Sequence, residues 1–171
     1  VPKEMENQLD KLKENRQVVT FSQKTPLPVD VDYETPETLG TDRIAAAIGA
    51  AALYKGKDVL IIDAGTCITY DVLEGGKVFR GGAIAPGLQM RLKAMHHFTH
   101  SLPMAELTQD VAIPAKSTHT CLQAGALRGM CFEIEGMIRQ YTDQYPGILT
   151  LMCGGDTFFF ESKIKASIFA I

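Results

Sequence analysis

The segment from Asp58 to Gly87 constrains the fold more than any other part of the chain. It contains three short runs that are typical of β-strands, Val59–Ile62, Cys67–Leu73 and Lys77–Phe79, and the turns between them contain glycine. The first run is continuously apolar and rich in β-branched residues, which indicates a buried strand. Because the turn after it is short, we expect the second run to pair back onto the first.

Polar side chains cluster around that turn. Asp63 and Asp71 supply carboxylates and Thr66 and Thr69 supply hydroxyls, next to Gly65, which lets backbone N–H groups approach an anion. Carboxylates that face a polyphosphate need a cation between them, so the pattern indicates phosphoryl transfer. The same Asp-x-Gly-Thr pattern is ordinary in hairpin turns, and the segment alone does not decide between the two interpretations.

Three motifs resemble those of the type III pantothenate kinases and occur in that family's order. Residues 40–43 match G-x-D-R, residues 63–71 match D-x-G-T-x-x-T-x-D, and residues 81–87 match G-G-x-I-x-P-G. The resemblance implies ATP-dependent phosphorylation of pantothenate at its primary hydroxyl, the first step of coenzyme A synthesis. It also implies an α/β fold with a mixed sheet and two ribonuclease-H-like lobes, as in the acetate and sugar kinase, Hsp70 and actin superfamily.

The resemblance assigns the general base of this reaction to Asp42. A carboxylate there can accept the proton that the attacking hydroxyl loses. Taken without the other motifs, Asp42 would more simply be a helix cap. A salt bridge within the lobe is the alternative for Arg43, and Thr118 can cap its helix and contact the substrate at the same time. By resemblance, the residues that contact pantothenate are Tyr33, Gly40, Thr41, Asp42, Arg43 and Thr118.

The resemblance also implies a nucleotide site and a cation site. ATP would bind with Mg²⁺ in contact with Gly65, Thr66 and Gly82. Asp63 resembles the residue that holds potassium or ammonium in this family, and Asp71 is expected to lie outside the direct contacts. The pair at 154–155, Gly-Gly, is compatible with an adenosine contact or with a plain turn.

One motif of the family does not occur in this sequence. The family opens with a strand that carries D-x-G-N-T or D-x-G-N-S, which holds the ATP phosphates. We therefore expect residues 1–56 to form an incomplete first lobe and residues 57–171 to form a second ribonuclease-H-like lobe. With half of the phosphate clamp missing, the 171-residue chain alone is expected to be inactive.

Helical periodicity predicts four helices, and a last strand is predicted at Ile148–Met152. The helices are Glu4–Arg16, Arg43–Tyr54, Leu88–His97 and Thr118–Tyr141. The second is nearly all Ala, Ile and Leu, which favours burial on most sides. Members of the family are homodimers in which the neighbouring subunit closes the pantothenate pocket, and the second and fourth helices offer apolar surface for such a contact.

Charge and hydropathy exclude two classes of partner. The chain has 17 Lys and Arg against 20 Asp and Glu, for a net charge of −3, which gives no basic surface suited to nucleic acid. The longest apolar run, Ile44–Tyr54, is too short to span a membrane, and no secretory signal is visible, so a cytoplasmic location is expected. A non-catalytic accessory or regulatory homologue of the same family is the alternative function.

Overall fold

In a computed structural model, residues 11–14, 16–18, 21, 25–165 and the backbone of 169–170 are described. Their strands are β1 (Asp30–Val31), β2 (Val59–Ala64), β3 (Cys67–Glu74), β4 (Val78–Pro86), β5 (Leu149–Cys153) and β6 (Phe169–Ala170). Their helices are α1 (Thr41–Leu53), α2 (Leu88–His97) and α3 (Thr118–Gln144), with short 3₁₀ turns at Pro36–Thr38 and Thr157–Phe159. The helix predicted over Glu4–Arg16 lies largely outside the described residues.

These six strands form one mixed sheet in the order β1-β4-β3-β2-β5-β6. β2, β3 and β4 are antiparallel neighbours, as the short turns predict, whereas β1, β5 and β6 each pair in parallel. The turn from β3 to β4 contains Gly75 and Gly76, whose φ angles are 57° and 64°. Two positive φ angles give the turn a twist that matches the twist of paired strands. The mixed α/β class predicted from the sequence is confirmed.

β4 is much longer than the predicted run Lys77–Phe79. It continues through the whole Gly-Gly-Ala-Ile-Ala-Pro segment to Pro86, opposite the length of β3. A register shift lies between Val72 and Leu73, and Gly81 opposite it has a φ of 76°. The glycine-rich segment is therefore a bulged strand.

The helices cover opposite faces of the sheet. Side chains alternate along β2, so Leu60 and Ile62 pack with α2 and α3, while Val59 and Ile61 pack with α1. The described residues that precede β2 therefore pack on the same sheet as those that follow it. No helix in the described ranges is long and apolar enough to cross a membrane.

α1 is buried on one side only, which corrects the expectation of burial on most sides. Its buried residues are Arg43, Ile44, Ala47 and Ala50, which face the sheet. Gly49 and Leu53 are exposed on the outer side. An apolar helix face thus remains open on this chain.

Candidate active site

A row of four side chains crosses the sheet near the end of β2, on the face that α1 covers. The strand register pairs Asp63 with Cys153 on one side and with Thr69 on the other, and pairs Thr69 with Ile84. Asp63, Thr69 and Cys153 are half-buried, whereas Ile84 is 61% exposed. The D-x-G-T motif therefore places its carboxylate on an open part of the sheet surface.

Asp71 lies on the same face of the sheet, two residues after Thr69 along β3. It forms a buried ion pair with Arg43 of α1; the two side chains are 2% and 7% exposed. The Arg43 Nε donates to both Asp71 oxygens, at 3.2 and 3.0 Å, and Nη2 donates to Oδ1. This hydrogen bonding outweighs burial and raises the pKa of Arg43 above its ordinary value. The salt-bridge interpretation of Arg43 is confirmed, and its partner in the ion pair is Asp71.

Aromatic rings flank the Arg43 guanidinium. Its central carbon lies 5.7 Å from the ring centre of Tyr33 and 5.6 Å from that of Phe79. Nη1 lies 3.5 Å from the Tyr33 hydroxyl. The Tyr33 ring sits over Gly81, where a Cβ would lie 3.0 Å from the ring. The G-G-x-I-x-P-G segment thus supports the tyrosine that the sequence assigned to the substrate pocket.

Asp42 lies in the first turn of α1 and is exposed. Its Oδ1 accepts a hydrogen bond of 2.9 Å from the backbone N–H of Arg43, and a Cβ on Gly40 would overlap the same oxygen. Gly40 occupies the N-cap position, so Asp42 is not the N-cap residue, although its carboxylate binds an N–H of the first helical turn. The carboxylate is anchored at one oxygen and open to solvent.

Asp42 and Asp71 are each close enough to Asp63 for their charges to act on it. Burial raises the pKa of Asp63, and the negative charges of Asp42 and Asp71 raise it further. Burial and the charge of Asp63 raise the pKa of the Cys153 thiol to about 11. A cation would relieve this repulsion at Asp63. The described residues contain no group of three or more His, Cys, Asp or Glu side chains that could hold a metal by themselves.

The turn after β5 packs directly against Asp63. Gly154 has a φ of 96°, and a Cβ there would overlap the Asp63 carboxylate and the Ala64 carbonyl. The N–H of Asp156 donates to that carbonyl at 2.9 Å. Gly155 has open space beside it. Packing around Asp63 therefore requires glycine at position 154. Neither the adenosine contact nor the plain turn considered from the sequence included this constraint.

Gly65 and Thr66 form the turn between β2 and β3. Gly65 donates to the Cys67 carbonyl at 2.9 Å, and Gly87 donates to the Thr66 carbonyl at 3.1 Å. A Cβ on Gly87 would overlap the Gly65 carbonyl, so the end of the third motif is packed against the D-x-G-T turn. Thr66 is exposed and borders a cavity of about 490 Å³ beside α2, whose lining includes Lys93.

Gly82 lies within β4, opposite Asp71. It is exposed, but a Cβ there would overlap the carbonyl of Tyr70. The close approach of β3 and β4 is therefore sufficient to require glycine at position 82, whether or not a nucleotide binds there.

The structure does not bring Thr118 to the other predicted substrate residues. α3 and α1 lie on opposite faces of the sheet, and Thr118 is exposed at the first position of α3. In the described residues, no hydrogen bond or ion pair joins it to Asp42 or Arg43. Ser117 caps α3 through a reciprocal pair of bonds with Thr120, so the cap expected at Thr118 lies one residue earlier.

The sequence is similar to the type III pantothenate kinases. Residues 1–140 match the profile of that family. A type III pantothenate kinase of Cytophaga hutchinsonii is 46% identical over 155 residues, which are 91% of this chain and 66% of the relative. One of Phocaeicola vulgatus is 44% identical, over 96% of this chain and 67% of the relative. The chain thus spans about two thirds of the length of these curated relatives.

A solved structure shares the fold. A conserved Campylobacter jejuni protein, described as a Baf family transcriptional activator, superposes with a TM-score of 0.63. The match covers 100% of this chain and 72% of the other, at 23% sequence identity. At that identity the comparison supports the fold and carries no further conclusion.

Proposed function

The chain belongs to the type III pantothenate kinase family, and we propose that, together with the family's phosphate-binding strand, it phosphorylates pantothenate. ATP would transfer its γ-phosphoryl group to the primary hydroxyl, the first step of coenzyme A synthesis. The main support in the structure is one arrangement of residues. An exposed carboxylate, Asp42, lies at a helix N-terminus beside the buried Arg43–Asp71 pair and near the D-x-G-T turn.

A coupled assay of ADP release tests this proposal. The protein is the chain extended at its N-terminus by the family's D-x-G-N-T/S strand, called the extended chain below. We expect ADP release with MgATP and potassium to depend on added pantothenate, with 4′-phosphopantothenate detected by mass spectrometry. ADP release that is the same without pantothenate, or no release at all, would contradict the proposed activity.

We assign the general base to Asp42. The attacking hydroxyl loses its proton late in a loose transition state, and a carboxylate within hydrogen-bond reach accepts it. The backbone N–H of Arg43 holds one oxygen of Asp42 at 2.9 Å. Asp42 is exposed, and we propose that its second oxygen, for which no hydrogen bond is recorded in the described residues, accepts the proton of the pantothenate hydroxyl.

The residues around Asp42 are proposed to hold the rest of pantothenate. Asp71 binds Nε and Nη2 of Arg43, and the Tyr33 hydroxyl accepts from Nη1, which leaves a second N–H of Nη1 for the carboxylate of pantothenate. The hydroxyl and ring of Tyr33 lie at this side of the guanidinium. Gly40 and Thr41 would supply backbone contacts at the start of α1.

The phosphates of ATP are proposed to bind at the β2–β3 turn, in contact with Gly65 and Thr66. Gly82 would contribute by letting β3 and β4 approach closely. Mg²⁺ usually takes one or two carboxylates and otherwise binds phosphate oxygens and water. Mg²⁺ would therefore bind together with the ATP phosphates at this turn, and such a shared site needs no cage of protein side chains.

We further propose that Asp63 binds the monovalent cation, potassium or ammonium. Its carboxylate is half-buried and is repelled by Asp42 and Asp71, and a cation beside it would offset that repulsion. Oxygen ligands from the phosphates and the backbone would complete the coordination.

Activity of the extended chain should accordingly depend on the cation supplied. We expect low turnover in sodium or Tris alone and a rise of several-fold with potassium or ammonium. Because the pKa of Asp63 is raised, protons should compete with the cation, so more potassium should be needed as the pH falls. Turnover is measured against potassium concentration at several pH values. Asp110→Asn, an exposed carboxylate paired with Arg128, is the control. Equal turnover without either ion would remove this role of Asp63.

We propose that the active unit is a homodimer in which Thr118 of one subunit completes the site of the other. Thr118 and Asp42 are on helices that cover opposite faces of the sheet in one chain. The outer face of α3 is suited to close helix packing, because Gly125, Gly129 and Gly136 have open space beside them. Phe132, between them, is 64% exposed. Obligate interfaces bury at least about 2,000 Å² with an apolar centre.

Mixed dimers test whether the site is shared. Asp42→Asn and Thr118→Ala extended chains are each expected to have low activity when pure. After subunit exchange of an equal mixture, about half of the dimers contain both variants, and each has one intact site, so roughly one quarter of full activity should return. Subunit mixing is followed by mass spectrometry of differently labelled chains. No recovery despite confirmed mixing, or a monomer in sedimentation at micromolar concentration, would contradict the shared site.

The remaining expectations follow from the family. We propose that the sheet described here belongs to ribonuclease-H-like architecture with lobes divided near residue 56, and that the protein acts in the cytoplasm without nucleic-acid or membrane partners. The names of the curated relatives favour the kinase over an accessory or regulatory protein.

A further inference from the structure

We propose that Asp71 is a positioning residue for the proposed kinase reaction: it holds Arg43 in one orientation and thereby fixes the turn that carries Asp42. This inference rests on the proposed function and adds a role for a residue that makes no contact with substrate. It concerns the last aspartate of the D-x-G-T-x-x-T-x-D segment, which the sequence placed outside the direct contacts.

The geometry of the pair restricts the guanidinium strongly. Both Asp71 oxygens receive hydrogen bonds from Nε, at 3.2 and 3.0 Å, and Oδ1 also receives one from Nη2. Asp71 is on β3, which is paired along its length with β2 on one side and β4 on the other. A planar guanidinium held along one edge by a side chain of a central strand cannot rotate freely.

Because Arg43 is restricted, the groups that contact it are held in position as well. It follows Asp42 directly in the chain, and its backbone N–H binds the Asp42 carboxylate. Its side chain is flanked by the rings of Tyr33 and Phe79, and Nη1 lies 3.5 Å from the Tyr33 hydroxyl. One ion pair thus anchors the first turn of α1, the base that it carries and the pocket tyrosine to the sheet.

Asp71 also keeps the positive charge of Arg43 away from the other carboxylates. Asp63 lies close enough to Asp42 and to Asp71 for their charges to interact with its own, and Asp42 is the residue next to Arg43 in the chain. Without Asp71, the guanidinium would be attracted to Asp42 or Asp63. Pairing with Asp42 would make that carboxylate a poorer proton acceptor, and pairing with Asp63 would displace the cation.

Stability alone is a weak explanation for such a pair. Removing two charges from water costs several kcal/mol per ion in typical proteins, and apolar residues of similar volume often replace a buried pair without loss of stability. A role in orientation explains why charged groups lie at 2% and 7% exposure beside an open site. The two explanations differ in whether the loss of Asp71 alone lowers kcat in a protein that keeps its stability.

The experiment compares activity and stability in the extended chain. In Asp71→Asn, we expect kcat to fall at least about tenfold while the KM for ATP changes less than about threefold. In Arg43→Met/Asp71→Leu, we expect a melting temperature within a few degrees of the unsubstituted protein but the same or greater loss of kcat. Adding Asp71→Asn to Arg43→Met should reduce kcat little further, because Asp71 acts through Arg43. Asp110→Asn, which breaks the exposed pair with Arg128, is the control.

NMR observes the Arg43–Asp71 ion pair directly and so tests its role without relying on turnover. The Nε–H signal of Arg43 in a ¹⁵N NMR spectrum should be protected from exchange in the unsubstituted protein and lose that protection in Asp71→Asn. Unchanged kcat in Asp71→Asn, or full activity of the Met/Leu variant, would overturn the positioning role while the kinase assignment stands. No pantothenate-dependent ADP release by the unsubstituted extended chain would instead overturn the proposed function.

Discussion

Replacing Asp42 by asparagine is expected to lower the turnover number of the extended chain by about a hundredfold or more, the usual scale for loss of a general base. Asparagine keeps the size of the side chain and its contact with the Arg43 N–H, but it cannot accept the proton of the attacking hydroxyl. The KM for ATP should change little, because Asp42 does not bind the nucleotide in the proposed arrangement. Steady-state kinetics with both substrates measures these values.

Asp30→Asn is the matched control for this substitution. Asp30 is an exposed carboxylate in β1, so the change in net charge is the same and the proposed site is untouched. We expect turnover within about twofold of the unsubstituted protein. Near-normal turnover in Asp42→Asn would leave Asp42 without a catalytic role.

Gly82→Ala is expected to destabilise the fold by at least about 3 kcal/mol, because the new Cβ would overlap the carbonyl of Tyr70. Relief of this overlap requires β3 and β4 to separate next to Asp71, with loss of hydrogen bonds in the centre of the sheet. The change is measured as the shift of the urea unfolding midpoint followed by circular dichroism.

Gly49→Ala is the control for the glycine substitution. Gly49 is inside α1 and exposed, and no atom outside its own helix backbone and chain neighbours lies within 4 Å of the position that a Cβ would occupy. Alanine there should stabilise the protein by about 0.5–1 kcal/mol through helix propensity. If Gly82→Ala unfolded at the same urea concentration as the unsubstituted protein but bound ATP weakly, Gly82 would serve the nucleotide and not the packing of strands.

The parts of the fold predicted best from the sequence are those with strong local patterns. α2 spans Leu88–His97 as predicted, and β2 begins at Val59, because apolar spacing and glycine boundaries determine these elements locally. β4 was predicted too short. Its glycines disfavour a strand by propensity, but pairing with β3 and the approach of Tyr70 override that preference.

The relations between distant residues were harder to predict. Arg43 and Asp71 are 28 positions apart, and only the packing of α1 on β3 brings them together. Any of the four consecutive polar residues at 117–120 could have capped α3, and the sequence did not decide among them. In the structure, Ser117 is the cap. The contact of Gly154 with Asp63 depends on parallel pairing of β5 with β2, for which a single sequence contains no local signal.

The parallel pairing of β2 with β5 also bears on the order in which the molecule folds. β2, β3 and β4 follow one another along the chain and can pair through short loops. In contrast, β5 joins β2 only by closing the long segment that contains α2 and α3. We therefore expect the hairpins to appear early and β5 to dock late. Gly154 reaches Asp63 only in that last step, so the proposed cation site should be among the final features to form. If Asp63 binds potassium as proposed, potassium should slow unfolding more than it speeds folding.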